Sequence, residues 1–276
     1  MNARVVLTLV RKEMRDARRN RWFLVIAALF AGLSVSLSLM GFAGLGSIGV
    51  AGFGRTAASL LNLVVLLIPL MGLLLGGTSI VSEREQGTLE SLLAQPVTPQ
   101  EVLFGKYAGS AVVLLSAVFI GFGATALIIS RYAGFEEAGS YAALVFFSAL
   151  LGLAFLSVGF LISVLVRRHA TAIGWVIVAW VGFLFLSDLG LMGTAVVLKL
   201  PVEVLLWLVL MNPAQSFKVA VIGTLHGNLE SFGPVGLYVS EACGPWFGGI
   251  LIALLAGWVL APLLAAMVSL RNRGVD

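Results

Sequence analysis

The chain has 276 residues, 60% of them hydrophobic and only 11% charged, with a mean hydropathy of +1.07. An average soluble domain carries about 25% charged residues, so this chain cannot cover a water-facing surface. A soluble enzyme, a disordered chain and a nucleic-acid reader are excluded, and an integral membrane protein remains. The net charge of +4 is read first as a topology signal, and the single cysteine, Cys243, excludes an intrachain disulfide, a CxxC redox pair and a cysteine-built zinc site.

The first element is short and two-faced. Ala3, Val6, Val10, Met14 and Ala17 recur at spacings of three and four, with Arg4, Arg11, Lys12, Arg15 and Arg18 mostly between them. The pattern predicts an amphipathic basic helix within 1–21, suited to the membrane interface and open to contact with a partner subunit. Six long charge-free runs follow: Trp22 to Gly54, Thr56 to Ser82, Tyr107 to Ser130, Ala138 to Val166, His169 to Ser187, and Ala242 to Leu270. A membrane helix needs about 20 apolar residues, so each run holds one crossing. The first run is longer than the h-region of a signal peptide and is read as a retained anchor.

The predicted fold is therefore all-α and polytopic, with a six-helix transmembrane domain over 22–270 and a short tail at 271–276. On this map 13 of the 17 Lys and Arg residues lie on the side of the N-terminus and 4 on the other. The excess of positive charge marks the cytoplasmic face, so both termini are expected there. A seventh crossing over Leu191 to Met211 would bury Lys199 and Glu203 near its centre, at about 2.5–3.5 kcal/mol each, and is rejected.

The cytoplasmic loop 83–106 is the informative stretch. Ser82 with Glu85 reads as one capping box, and Thr98 with Glu101, followed by Pro99 at the first helical position, as another. A helix opened at Ser82 would place Glu83, Gly87 and Glu90 on one face, with Leu89, Leu92 and Leu93 largely opposite. Such an acidic face with a central glycine permits close approach by a partner, and Glu85 adds a further carboxylate. Arg167, Arg168 and His169 form the other short cytoplasmic turn, a candidate second contact.

The stretch Glu83-Arg84-Glu85-Gln86-Gly87-Thr88-Leu89-Glu90, continuing through Pro96-Val97 and Glu101 to Gly105-Lys106, resembles the signature loop of ABC-2 type permeases. The resemblance implies a coupling helix that docks into a groove on a separate ATPase subunit, and it extends the coupling set to Arg84 and Thr88. Across the whole chain the likeness is to the permeases that serve assembly of the copper centres of nitrous oxide reductase, in denitrification. It implies a homodimer in the bacterial inner membrane, an ABC ATPase partner that holds the ATP and magnesium, a periplasmic partner protein, and no cofactor in this chain. An exporter of lipid, drug or polysaccharide is the alternative within the family, and a stand-alone secondary transporter the alternative outside it.

Beyond the fifth run, the segment 188–241 is long, mixed in charge and partly apolar around Trp207 and Phe217. Pro201 to Met211 is too short to span and reads as an interfacial or re-entrant helix stopped at Pro213. The Asn212-Pro213 pair before the last run fits the same family resemblance. Trp207, Asn212, Pro213 and Phe217 are the residues expected to dock a periplasmic partner.

Catalytic signatures are absent. There is no GxxxxGK[ST] and no HExxH, and the spans hold no GxSG or GxGD. No catalytic residue and no metal site are assigned: His169 and His226 fall on opposite sides of the map, and Met192, Met211, His226 and Cys243 are not paired on one helix turn. The span centres carry no charge, which argues against an ion-driven carrier. Gly72 with Gly76 and Gly105 with Gly109 offer GxxxG spacings for close helix packing.

Overall fold

The computed structural model describes residues 3–17, 20–43, 50–88, 97–132, 137–186, 202–226 and 246–273. All the elements among them are helical, as hydrocarbon requires: a helix satisfies its own backbone polar groups where no water can. In chain order they are α1 (Ala3–Ala17), α2 (Arg21–Ala43), α3 (Val50–Glu85), α4 (Pro99–Tyr132), α5 (Ala138–Leu165), α6 (His169–Val181, continuing as a π turn over Gly182–Leu186), α7 (Val202–Leu210), α8 (Pro213–His226) and α9 (Phe247–Arg273). Six are long and apolar enough to cross a membrane: α2, α3, α4, α5, α6 with its π turn, and α9. They are the six spans that the charge-free runs predict.

The centre of the bundle is α3 packed on α5. Their spans are 67% and 61% buried, against 22%, 17% and 28% for α2, α6 and α9, which present apolar faces outward. The central pair meets backbone to backbone. A Cβ on Gly72 would lie 2.8 Å from the Gly152 carbonyl oxygen, and one on Gly159 would lie 2.8 Å from that of Leu73. Small residues allow this approach, and dispersion between backbones then holds helices that lipid gives no hydrophobic reason to associate. Phe30, Phe122 and Phe155 are fully buried around this core. Trp22 and Trp246, 77% and 79% exposed, open α2 and α9, which suits indole rings at the two headgroup levels.

The predicted helix start at Ser82 is corrected. There is one helix from Val50 to Glu85, and Ser82 to Glu85 form its last turn. At about 1.5 Å per residue α3 is far longer than a 30 Å hydrocarbon core, so the bundle carries its end out to the surface. It stops where Gly87 takes a φ of +68°, the left-handed conformation that ends helices at low cost only with glycine. The second capping box forms as predicted: the Thr98 amide donates to Glu101 Oε2 at 3.0 Å, and the Glu101 amide donates to Thr98 Oγ1 at 3.3 Å.

Between α6 and α9 the described residues are 202–226. α7 ends at Leu210, and α8 restarts at Pro213 and packs on α5 and α9. The short helix expected within 201–211 forms over Val202–Leu210 and stops before Pro213, while residues 187–201 and 227–245 lie outside the described residues.

Candidate functional site

Two sites grow from this frame, one at each end of α6. At the end that carries Glu85, the last turn of α3 is tied to the turn between α5 and α6. Arg84 Nη1 donates to the carbonyl oxygens of Val164 and Val166 at 3.3 and 3.1 Å, satisfying carbonyls that the C-terminus of α5 leaves open. Glu85 Oε2 accepts the His169 amide at 3.1 Å, at the first turn of α6. There the helix leaves N–H groups without intrahelical partners and favours negative charge. Ser82 Oγ and His169 Nδ1 share a hydrogen bond of 3.0 Å. The two short turns, far apart in sequence, thus form one rigid platform. Glu85, Gly87, Thr88, Arg167 and Arg168 are exposed on it.

Behind the platform lies an ion-pair cluster. Lys106 is only 3% exposed; it contacts Glu83 at 3.1 Å and also pairs with Glu13. Lys12 contacts Glu83 at 2.5 Å. The cluster binds α1 to the start of α4 and the end of α3. Close packing assists: a Cβ on Gly105 would lie 2.7 Å from Leu9, and one on Gly109 would lie 2.6 Å from the Glu13 side chain. Burial pushes the Glu13 carboxyl above its ordinary value, against the pull of Lys106. Burial also pulls the Lys12 ammonium down, but the hydrogen bond and charge of Glu83 outweigh it and leave Lys12 above the ordinary lysine value.

The expected acidic docking face is therefore reorganised. Glu83 turns inward and spends its charge on lysines of its own chain. Arg84 is held against α5, while Glu85 is exposed yet anchored to α6. Glu90, with Leu89, Leu92 and Leu93, lies outside the described residues. The lysines and Glu13 were missed because their partners are remote in sequence. One signal existed: Lys106 abuts a charge-free span, and a cation at such a position calls for a buried anion.

At the other end of α6, Asn212 joins three elements. Its Oδ1 accepts the Ala214 amide at 2.8 Å, capping α8 with Pro213 at the first helical position. Its Nδ2 donates to the Phe183 carbonyl at 2.7 Å, in the π turn. Trp258 Nε1 donates to the Met211 carbonyl at 3.0 Å, and Ser216 Oγ to that of Leu210 at 2.7 Å. The break between α7 and α8 thus has its polar groups satisfied by protein, the condition for irregular backbone at membrane depth. Phe183 stacks edge to face on both Phe155 and Trp258 beside it, with centroids 5.4 Å apart in both contacts.

This corrects part of the expected periplasmic docking set. Phe217 is fully buried, Asn212 is 8% exposed and Pro213 is buried too. They hold α8 in the bundle and offer no surface. Trp207 alone of the four is exposed, at 55%. Among the described residues no group of three or more His, Cys, Asp or Glu is placed to hold a metal ion.

Comparison with known proteins adds a whole-chain finding. Residues 7–275 match the family model described as ABC-2 family transporter protein. The chain is 34% identical over 274 residues to the Probable ABC transporter permease protein NosY of Stutzerimonas stutzeri, covering 97% of this chain and 98% of that protein. It is 38% identical over 221 residues to the Probable ABC transporter permease protein NosY of Pseudomonas aeruginosa, covering 78% of this chain and 80% of that one.

Proposed function

The chain belongs to the ABC-2 family of transporter proteins and is a NosY-like, multi-pass membrane subunit of the permease type; on that premise we propose that it passes the work of a separate ATPase across the bacterial inner membrane to a periplasmic partner. The chain hydrolyses nothing itself. A NosF-like ABC ATPase holds ATP and magnesium, two copies of this chain pair as a homodimer, and a NosD-like protein receives the motion outside. Both termini lie in the cytoplasm, and the task served is assembly of the copper centres of nitrous oxide reductase.

The observation that carries this reading is the fusion of the two turns into one platform through Arg84, Glu85 and His169. A force applied at Gly87 or Thr88 reaches α3, α5 and α6 together, because none of the three ends is free to yield separately. Docking itself falls to the exposed groups Glu85, Gly87, Thr88, Arg167 and Arg168, and to Glu90. Glu83 and His169 act behind them as positioning residues.

Transmission, with metal handling done by the partner, fits the backbone-to-backbone packing of α3 on α5 better than a central polar path between them. The test is co-expression with the ATPase, followed by purification through a tag on this chain. The ATPase should co-elute with the wild type and be lost when Thr88 and Arg168 are both replaced by bulky acidic side chains. Full recovery in that variant overturns the platform as the docking surface. ATP-dependent movement of a defined solute by reconstituted vesicles overturns transmission alone.

A further inference from the structure

We propose that Arg11 and Arg15, on the free face of α1, bind the phosphate of a phospholipid of net negative charge, of the phosphatidylglycerol type. α1 has two faces. One packs on α4: Leu9 is buried, and a Cβ on Gly109 would lie 2.6 Å from the Glu13 side chain and 3.1 Å from the Val10 backbone. The other carries Arg11, Met14 and Arg15, all exposed. Their spacing puts the two arginines one turn apart on that face.

The packing fixes the depth of this face. Phe30 lies against Gly121, where a Cβ would meet its ring at 2.6 Å. An equal count back along both helices sets Arg21, the first residue of α2, beside Val112 of α4. Between Val112 and Arg131 α4 carries no charge, over about 29 Å at 1.5 Å per residue, the thickness of a hydrocarbon core. Gly109 therefore stands about 4.5 Å outside that core. The headgroup layer is about 5–8 Å deep on each side. Arg11, between Val10 and Glu13, falls within it, and the exposed indole of Trp22 marks the same boundary.

Charge then selects the ligand. Lys12, Glu13, Glu83 and Lys106 are committed to one another, and among the described residues neither Arg11 nor Arg15 makes an ion pair. Asp16 stands with Lys12 on the flank toward Glu83. Like charges one turn apart repel, and a phosphate that accepts from both guanidinium groups relieves the repulsion. A choline lipid offers the same phosphate with a quaternary ammonium beside it, which cancels the attraction. Lipid is preferred over an acidic protein surface because it already fills this layer. Lys12 and Glu13 of the same helix hold Glu83 and Lys106, so an occupied arginine pair ties the platform to the lipid surface.

The test uses the full chain in nanodiscs of equimolar phosphatidylglycerol and phosphatidylcholine, with retained lipids counted by native mass spectrometry. The wild type should favour phosphatidylglycerol. Arg15→Gln should lower that preference about fivefold, and Arg11→Gln with Arg15→Gln about 25-fold, as expected for basic residues near an anionic surface. Lysine at both positions should keep most of the preference. Both side chains are exposed and unpaired, so the variants should fold, which the size-exclusion profile checks. Equal retention of the two lipids by the wild type, or a preference unchanged in the double glutamine variant, overturns the site. Loss of a co-expressed ATPase from that variant, with the lipid preference unchanged, assigns the face to protein docking instead.

Discussion

Asn212 Nδ2 donates to the carbonyl oxygen of Phe183 at 2.7 Å, so the residue that caps α8 also clamps the π turn that continues α6. The Phe183 carbonyl lies in the π turn Gly182–Leu186. One amide side chain thus serves two helices. Asn212→Ala should remove both bonds, the cap and the part-buried bond to Phe183, at about 1–3 kcal/mol. Asn212→Ser keeps a cap and loses the clamp, and should fall between. Thermal unfolding in detergent orders the three proteins, and equal midpoints would show that the clamp carries no stability.

Phe217 and Trp207 should separate stability from docking. Phe217 is fully buried and Trp207 is 55% exposed. Phe217→Ala opens a cavity, which in soluble cores costs about 3–5 kcal/mol, and should lower the unfolding midpoint. Trp207→Ala should leave the midpoint in place and, if the proposed periplasmic partner docks here, weaken its recovery in a pull-down.

The glycines of the central pair should resist enlargement. Gly72→Val drives a side chain into the Gly152 carbonyl, only 2.8 Å from where a Cβ would stand. Overpacking of this kind costs about 1–3 kcal/mol or more. Gly257→Val, with nothing within 4 Å of its Cβ position, should be tolerated. Yield of folded protein by size-exclusion profile distinguishes the two. Enlarging Gly72 or Gly76 thus disrupts the fold rather than plugging a pore.

The attachment of α1 should weaken at high pH. Lys12 sits above its ordinary value beside Glu83, with Glu13 and Asp16 also near. Its folded value exceeds the unfolded one, so its contribution is full below about pH 10.4 and is lost as pH rises through the folded value. Hydrogen exchange along α1 should therefore rise steeply in strong alkali, and Lys12→Met should remove that part of the rise.

Orientation is open to labelling. On a background lacking Cys243, a cysteine in place of the exposed Arg131 should react with an impermeant thiol reagent from outside. One in place of the exposed Gln86 should react only after permeabilisation. The reverse pattern would invert the map drawn from the basic residues.

The sequence by itself determined the number and place of the crossings. Hydrocarbon admits no charge cheaply, so the pair Arg167–Arg168 falls between α5 and α6, and Arg55 and Arg131 fall near the ends of α3 and α4. It also determined the cap at Thr98 and the break at Pro213, because these rest on residues a few positions apart. Only the tertiary structure decided that Ser82 to Glu85 end a helix rather than open one. A capping box needs the chain to be non-helical before it, and here α3 arrives already wound from Val50. Only the fold turned Glu83 from a docking residue into the partner of Lys106 and Lys12, since those contacts join elements far apart in sequence. In the same way it buried Phe217 and Asn212. Their apolar and amide groups have the composition of an interface, and the interface they fill is between helices of their own chain.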